Sequence, residues 1–238
     1  SSFSASSTTI TQLGSDIDGE ATGDYSGTSV SMDSDGDRVA IGAYYNRGNG
    51  SRAGHVRIYE WGGSSWSQMG SDIDGEDIID YSGYSVSLDS DGDRVAIGAT
   101  GNDGSASNAG HVRIYEWGGS SWSQMGSDID GEAAGDLSGK SVSLDSDGDR
   151  VAIGAYTNDG NGSDAGHVRI YEWNGSSWSQ MGSDIDGEAA GDRSGYSVSM
   201  DSDGDRVAIG AYLNDGTASS AGHVRIYEWG GSSWSQLG

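Results

Sequence analysis

Gly14-Ser15-Asp16-Ile17-Asp18-Gly19-Glu20 decides the fold, because the same string returns at Gly70, Gly126 and Gly182. Each step is 56 residues (70 − 14, 126 − 70, 182 − 126), and Gly238 stands where a further start is due (238 − 182). Four copies without insertion or deletion therefore fill residues 15–70, 71–126, 127–182 and 183–238, preceded by an extension over residues 1–14. Inside one copy the hydrophobic pattern has a period of two. Ser29-Val30-Ser31-Met32, Arg38-Val39-Ala40-Ile41-Gly42 and His55-Val56-Arg57-Ile58-Tyr59-Glu60-Trp61 all alternate, and Ser65-Trp66-Ser67-Gln68-Met69 adds a shorter run. Turn signals separate them at Asp35-Gly36, Asn49-Gly50 and Gly62-Gly63. No window keeps apolar residues at the helical spacing. The pattern predicts four strands per copy and no helix.

A four-stranded sheet exposes two faces and cannot bury both alone, so repeats of this length must lean on one another. The predicted fold is all-β: a four-bladed β-propeller of four 56-residue, four-stranded antiparallel blades. Val30, Met32, Val39, Ile41, Val56 and Ile58 are expected to share one face of the first blade. Ala40 and Gly42 would leave the other face shallow, with Tyr59 and Trp61 adding bulk there.

Composition narrows the function classes. Twelve Lys+Arg against 37 Asp+Glu gives a net charge of −25, which argues against nucleic acid and anionic membrane as partners. Lys140 is the single lysine. No apolar run approaches the ~20 residues of a membrane helix, and Ser1–Ile10 has neither the basic start nor the apolar stretch of a signal peptide. Cysteine is absent, so no disulfide framework or thiolate site is available. A lysine-poor acidic surface also suits a saline medium, where repulsion is screened over several Å.

The motifs Ser26-Gly27-Thr28-Ser29-Val30-Ser31, Gly42-Ala43 and Gly54-His55-Val56-Arg57-Ile58-Tyr59 recur in every copy. Together they resemble the FG-GAP repeat of integrin α-chain heads and of many secreted or cell-surface proteins. Two departures stand out: serine (Ser26, Ser82, Ser138, Ser194) replaces the family's phenylalanine, and no proline follows Gly-Ala. The resemblance implies a secreted or surface-exposed propeller used for adhesion or assembly, often with calcium in its loops, and implies no catalysis.

Two acidic segments recur. Asp33-Ser34-Asp35-Gly36-Asp37 lacks a further acid at its ninth place, which is Ile41, and is expected to be a tight hairpin rather than a calcium loop. The second segment carries acids at relative positions 1, 3, 5 and 9: Asp16, Asp18, Glu20, Asp24; Asp72, Asp74, Glu76, Asp80; Asp128, Asp130, Glu132, Asp136; and Asp184, Asp186, Glu188, Asp192. It is the candidate structural calcium site, the alternative being that its like charges are simply solvated.

His55, His111, His167 and His223 hold one repeated strand position and form no single constellation, so a hydrolase triad is not expected. The pairs Trp61/Trp66, Trp117/Trp122, Trp173/Trp178 and Trp229/Trp234 flank hairpins, either stacking on sugars or covering blade edges. Asn49, Asn161 and Asn174 begin N-glycosylation triplets. The stretches Tyr44–Arg52, Thr100–Asn108, Tyr156–Asp164 and Tyr212–Ser220 vary most between copies, where differences in partner would show.

Ile10-Thr11-Gln12-Leu13 matches the outer strand Trp66-Ser67-Gln68-Met69 and its later equivalents, so the outer strand is written five times and the others four. A spare strand can be donated to another copy, which in a heterologous contact can propagate into a filament. The expectation is a non-enzymatic, secreted or surface structural or adhesive propeller. Its partner would be itself, through Ile10–Leu13, or surface proteins and glycans, and calcium would stabilise it. The alternative is a multivalent lectin.

Overall fold

The structure is a computed structural model that describes residues 10–238. Four antiparallel sheets follow one another along the chain, one per repeat, and no helix occurs among the described residues. The inner strands are Ser29–Met32, Ser82–Leu88, Ser141–Leu144 and Ser194–Met200. The second strands are Arg38–Ala43, Arg94–Ala99, Arg150–Ala155 and Arg206–Ala211. The third strands, His55–Trp61, His111–Trp117, His167–Trp173 and His223–Trp229, carry the outer ones, Trp66–Gln68, Trp122–Gln124, Trp178–Gln180 and Trp234–Gln236. In the first three blades a two-residue strand (Ile73–Asp74, Ile129–Asp130, Ile185–Asp186) continues the edge of the third strand; the fourth sheet lacks it. The four-bladed propeller class is as the repeat predicts.

The register corrects the expected division of faces. Val39 pairs with Tyr59 and Ala40 with Ile58, so Val56 and Ile58 lie with Ala40 and Gly42, while Val30, Met32, Val39 and Ile41 lie with Tyr59 and Trp61. A one-residue difference in register exchanges every side chain between faces. Each blade thus has a leading face of aliphatics plus Tyr and Trp, and a trailing face of Ala, Gly, Val and Ile. Trailing Ala40, Val56, Ile58, Met69 and Ile73 pack against leading Val86, Leu88, Val95 and Ile97, backed by Tyr115, Trp117 and Trp122. The same seam recurs twice more.

Polar contacts lock each seam. The Leu88 N–H donates to Ser31 Oγ at 2.9 Å, and the hydroxyl of Ser29 donates to the Gly83 carbonyl at 2.8 Å. Indole N–H groups of Trp122, Trp178 and Trp234 donate to the carbonyls of Met69, Met125 and Met181. The tryptophan pairs therefore cover the seams, half-buried, and the second indole of each pair has its polar atom already used.

The two ends of the series are uncovered. Val30 and Met32 are 63% and 53% exposed, whereas their equivalents Val86 and Leu88 are 9% and 7% exposed. On the trailing face of the last blade Val224 and Ile226 are 66% and 45% exposed, against 0% and 1% for Val112 and Ile114. Trp234–Gln236 completes its own blade by pairing with Tyr227–Trp229. Ile10–Leu13, the expected assembly strand, joins no strand and is exposed.

Candidate functional site

The acidic hairpin Asp33–Asp37 is a turn, as expected: Asp33 Oδ1 accepts the N–H groups of Asp37 and Arg38, both at 3.0 Å. In the longer segments the ninth-place acids Asp24, Asp80, Asp136 and Asp192 are buried. Each accepts a backbone N–H of its own loop and the side-chain amide of Asn46, Asn102, Asn158 or Asn214. Through these bonds they pin the loop to the blade.

The four acids of one loop do not converge. Instead, Glu20 of one loop meets Asp72 of the next around the buried His55, with His55 Nδ1 at 3.8 Å from Glu20 and 3.6 Å from Asp72. Glu76, His111 and Asp128 repeat the arrangement, as do Glu132, His167 and Asp184. In each group the ligand atoms lie within 4.8 Å of one another, so these three groups can hold a metal ion. His111 is 1% exposed, and neither ring nitrogen has a hydrogen-bond partner. Burial pushes the pKa values of His55, His111 and His167 down, His111 to about 4 with the help of Arg113. In the fourth repeat His223 Nδ1 stands 3.5 Å from Glu188. At the other end Asp16 bonds Gln12 and has no histidine. Asp18, Asp74, Asp130 and Asp186 enter none of the groups. Sequence reading missed the histidines because the ligands are 35 and 17 residues apart (55 − 20, 72 − 55); pairing of His55 with Asp74 in the sheet brings them together.

A second site breaks the fourfold pattern. Where the inner strands approach one another, positions that differ between copies gather into an aromatic cluster. Tyr25, Tyr81, Leu137 and Arg193 are equivalent residues, each left-handed with φ of 55°, 56°, 54° and 59°. Non-glycine residues in this region carry strain, and strain gathers at functional sites. Lys140 lies at the centre. Its ammonium is 4.4, 5.5 and 4.3 Å from the ring centroids of Tyr84, Tyr156 and Tyr196, and it donates to the Tyr84 hydroxyl at 2.8 Å. Burial alone would lower its pKa. The Tyr84 hydrogen bond and the neighbouring phenols outweigh that and hold it above the ordinary lysine value. Arg193 sits over Tyr156 and donates to Tyr212, and Arg52 sits over Tyr45. None of these three cations pairs with a carboxylate among the described residues, unlike the arginines of the second strands, such as Arg38 with Glu60. Beside them is a cavity of about 340 Å³ lined by Tyr44, Tyr81, Tyr84, Lys140 and Tyr156.

The three sequon asparagines are exposed. Asn49 and Asn161 donate their side-chain amides to the carbonyls of Gly75 and Gly187, and Asn174 caps its own turn by accepting from Ser176 and Ser177.

Residues 16–59 match the family model of the FG-GAP repeat, in agreement with the motif resemblance, and the remaining copies carry the same motifs. No curated protein matches the chain in sequence. In three dimensions it is similar to a protein described as a 6-phosphogluconolactonase from Bacteroides uniformis (TM-score 0.59, 8% identity), covering 88% of this chain and 52% of that one. It is also similar to the periplasmic gluconolactonase of Pseudomonas aeruginosa (TM-score 0.58, 14% identity), covering 89% of this chain and 56% of that one. The chain thus spans about half the length of these propellers. Identities this low show the fold alone. They nevertheless correct the expectation of a non-enzymatic chain: similar propellers are described as lactonases, so the architecture excludes no catalysis. The supporting argument, that no site departs from the repeat, fails at Lys140. Among the described residues no helix is long and apolar enough to cross a membrane.

Proposed function

We propose that the chain is the binding propeller of an exported or cell-surface protein, and that it seats an anionic sugar in the tyrosine pocket around Lys140. The carrying observation is a lysine whose neighbours are aromatic rings and one hydroxyl, in a chain of net charge −25. Tyrosine faces stack on the apolar faces of a sugar ring, their hydroxyls bond its hydroxyls, and the ammonium is free to donate to a carboxylate or phosphate. Partial desolvation strengthens that pairing relative to water. The Lys140 pocket is favoured over the four equivalent pockets beside Trp66, Trp122, Trp178 and Trp234 because only it holds a cation facing no carboxylate, whereas those are lined by Asp residues and their indole N–H groups are occupied. The lactonases of similar fold are described as acting on lactones of gluconate type, which fits a sugar acid as the ligand. Surface glycans bearing acidic sugars are the partners that an adhesive role would use.

Calorimetric titration with gluconate, 6-phosphogluconate, glucuronate and glucose tests the proposal. Acidic sugars are expected to bind at least ~10-fold more tightly than glucose, and Lys140→Met to abolish the difference, since a charged hydrogen bond contributes about 1.5–3 kcal/mol. Equal binding of glucose and the acids, or none of either, overturns it. Following the ring opening of gluconolactone in the same preparation decides whether the pocket also turns a lactone over.

At the seams, the imidazole in each acidic group favours a zinc-class divalent ion over calcium, which prefers six to eight oxygens. The ion would tie the loop entering a blade to the loop leaving it.

A further inference from the structure

We propose, resting on the seam ion already assigned, that each of the three seam groups holds one zinc-class ion through three protein ligands, with an outer-strand glutamine orienting the aspartate and a fourth position open to a small ligand from solvent. The middle group shows why. The His111 ring is 1% exposed, and neither of its nitrogens has a hydrogen-bond partner. A buried polar atom left unpaired is costly and rare in a folded protein. Its Nδ1 stands 3.9 Å from Glu76 Oε2 and 3.8 Å from Asp128 Oδ2. Those separations exceed the ~2.7–3.2 Å of a hydrogen bond. They approach the roughly 3.3–3.6 Å between two ligand atoms that share one tetrahedral zinc ion. The flanking groups repeat the spacing, at 3.8 and 3.6 Å about His55 and 3.8 Å twice about His167. Three lone-pair atoms around a gap of that size make a seat for an ion.

Each carboxylate is also held by its other oxygen. Gln124 Nε2 donates to Asp128 Oδ1 at 2.6 Å, which leaves Oδ2 on the imidazole side. Gln68 does the same for Asp72 at 2.7 Å, and Gln180 for Asp184 at 2.6 Å. Arg113 lies 3.7 Å from Glu76 Oε1 while Oε2 turns to His111, and Arg169 stands likewise to Glu132. Outer donors of this kind fix the orientation of metal-binding carboxylates, and their loss costs ~10–100-fold in metal affinity.

Burial decides which side stays open. The histidine is the closed floor of the group, whereas the side chains of Glu76 and Asp128 are 46% and 31% exposed. Solvent reaches the group from the carboxylate side, so an ion enters there and its remaining position points there. Three protein ligands with one exchangeable position mark zinc sites that bind a further molecule, in contrast to closed four-ligand sites. Asp72, Asp128 and Asp184 also wall cavities of about 240, 260 and 250 Å³, which gives a ligand of several atoms room beside each group. Two carboxylates and a neutral imidazole leave a divalent ion with no net charge. A small anion or a nitrogen donor can therefore take the fourth position, although the chain as a whole carries −25.

Titration of the full chain, stripped by a chelator, with cobalt(II) as a coloured stand-in for zinc tests the proposal. Three tight sites per chain are expected, with the strong visible absorption of low-coordinate cobalt and a shift of that spectrum on adding azide or imidazole. His111→Ala is expected to leave two sites. Gln124→Leu is expected to weaken one site by ~10-fold or more while the melting temperature of the stripped chain stays the same. Three sites whose spectrum ignores azide and imidazole overturn the open position and leave the seam ion standing. Undiminished affinity in Gln124→Leu overturns the role given to the glutamines. No uptake, or uptake that His111→Ala does not reduce, overturns the seam ion and the coordination together.

Discussion

Asp89 shows how closely the hairpin turns are tuned. Its carboxylate is buried and accepts the Arg94 N–H, and burial, with Asp93 beside it, pushes its pKa up to about 6. Asp145 in the next blade behaves alike. A folded pKa above the unfolded value means that the fold holds the proton more tightly. The associated stability is complete below about pH 3.8 and is lost as pH rises through 6, amounting to a few kcal/mol at most. Asp89→Asn keeps an oxygen for the Arg94 N–H and removes the buried charge. It is expected to melt higher than wild type at pH 7.5, with the advantage shrinking to nothing by pH 4; a constant offset across melting curves at several pH values would refute this. His111 has the opposite sign. Its folded pKa of about 4 lies below the ordinary 6.5, so its stabilisation is complete above pH 6.5 and fades as pH falls toward 4.

Between elements, the seams hold by close backbone approach as much as by apolar burial. A Cβ on Gly98 would overlap the carbonyl of Gly139 across the seam, whereas at Gly210 only the Ser197 side chain and backbone of the same blade stand near. Gly98→Ala is therefore expected to cost ~2 kcal/mol or more, and Gly210→Ala clearly less, in denaturant unfolding of the dilute chain. The seam groups give a second test. Zinc at a hundred times its dissociation constant is expected to add about 2.7 kcal/mol per site, and calcium little. His111→Ala is expected to remove one site's share, read as a smaller zinc-induced rise in melting temperature. The blades, their order and the hairpins were legible in the sequence, because each depends on alternation and turn residues within one 56-residue copy. The faces were not: a register fixed by Val39 opposite Tyr59 leaves no mark on a single strand. Neither were the histidine groups, whose ligands come from two loops and a strand, nor the tyrosine pocket, assembled from the few positions where copies differ, such as Thr28, Tyr84, Lys140 and Tyr196.

On the scale of the whole molecule, a row of blades is stable only where each face has a neighbour, and here two faces lack one within a single chain. Ile114 and Ile226 are the same residue in the same place on successive third strands, 1% and 45% exposed. Truncating the first to alanine leaves a cavity in a filled seam and is expected to cost about 2–5 kcal/mol at any protein concentration. Truncating the second removes a side chain that is 45% exposed, so it is expected to cost less, ~1–2 kcal/mol. Denaturant unfolding of both variants side by side checks the contrast: equal losses at the two positions would mean that the trailing face of the last blade is covered in solution as fully as the three seams are.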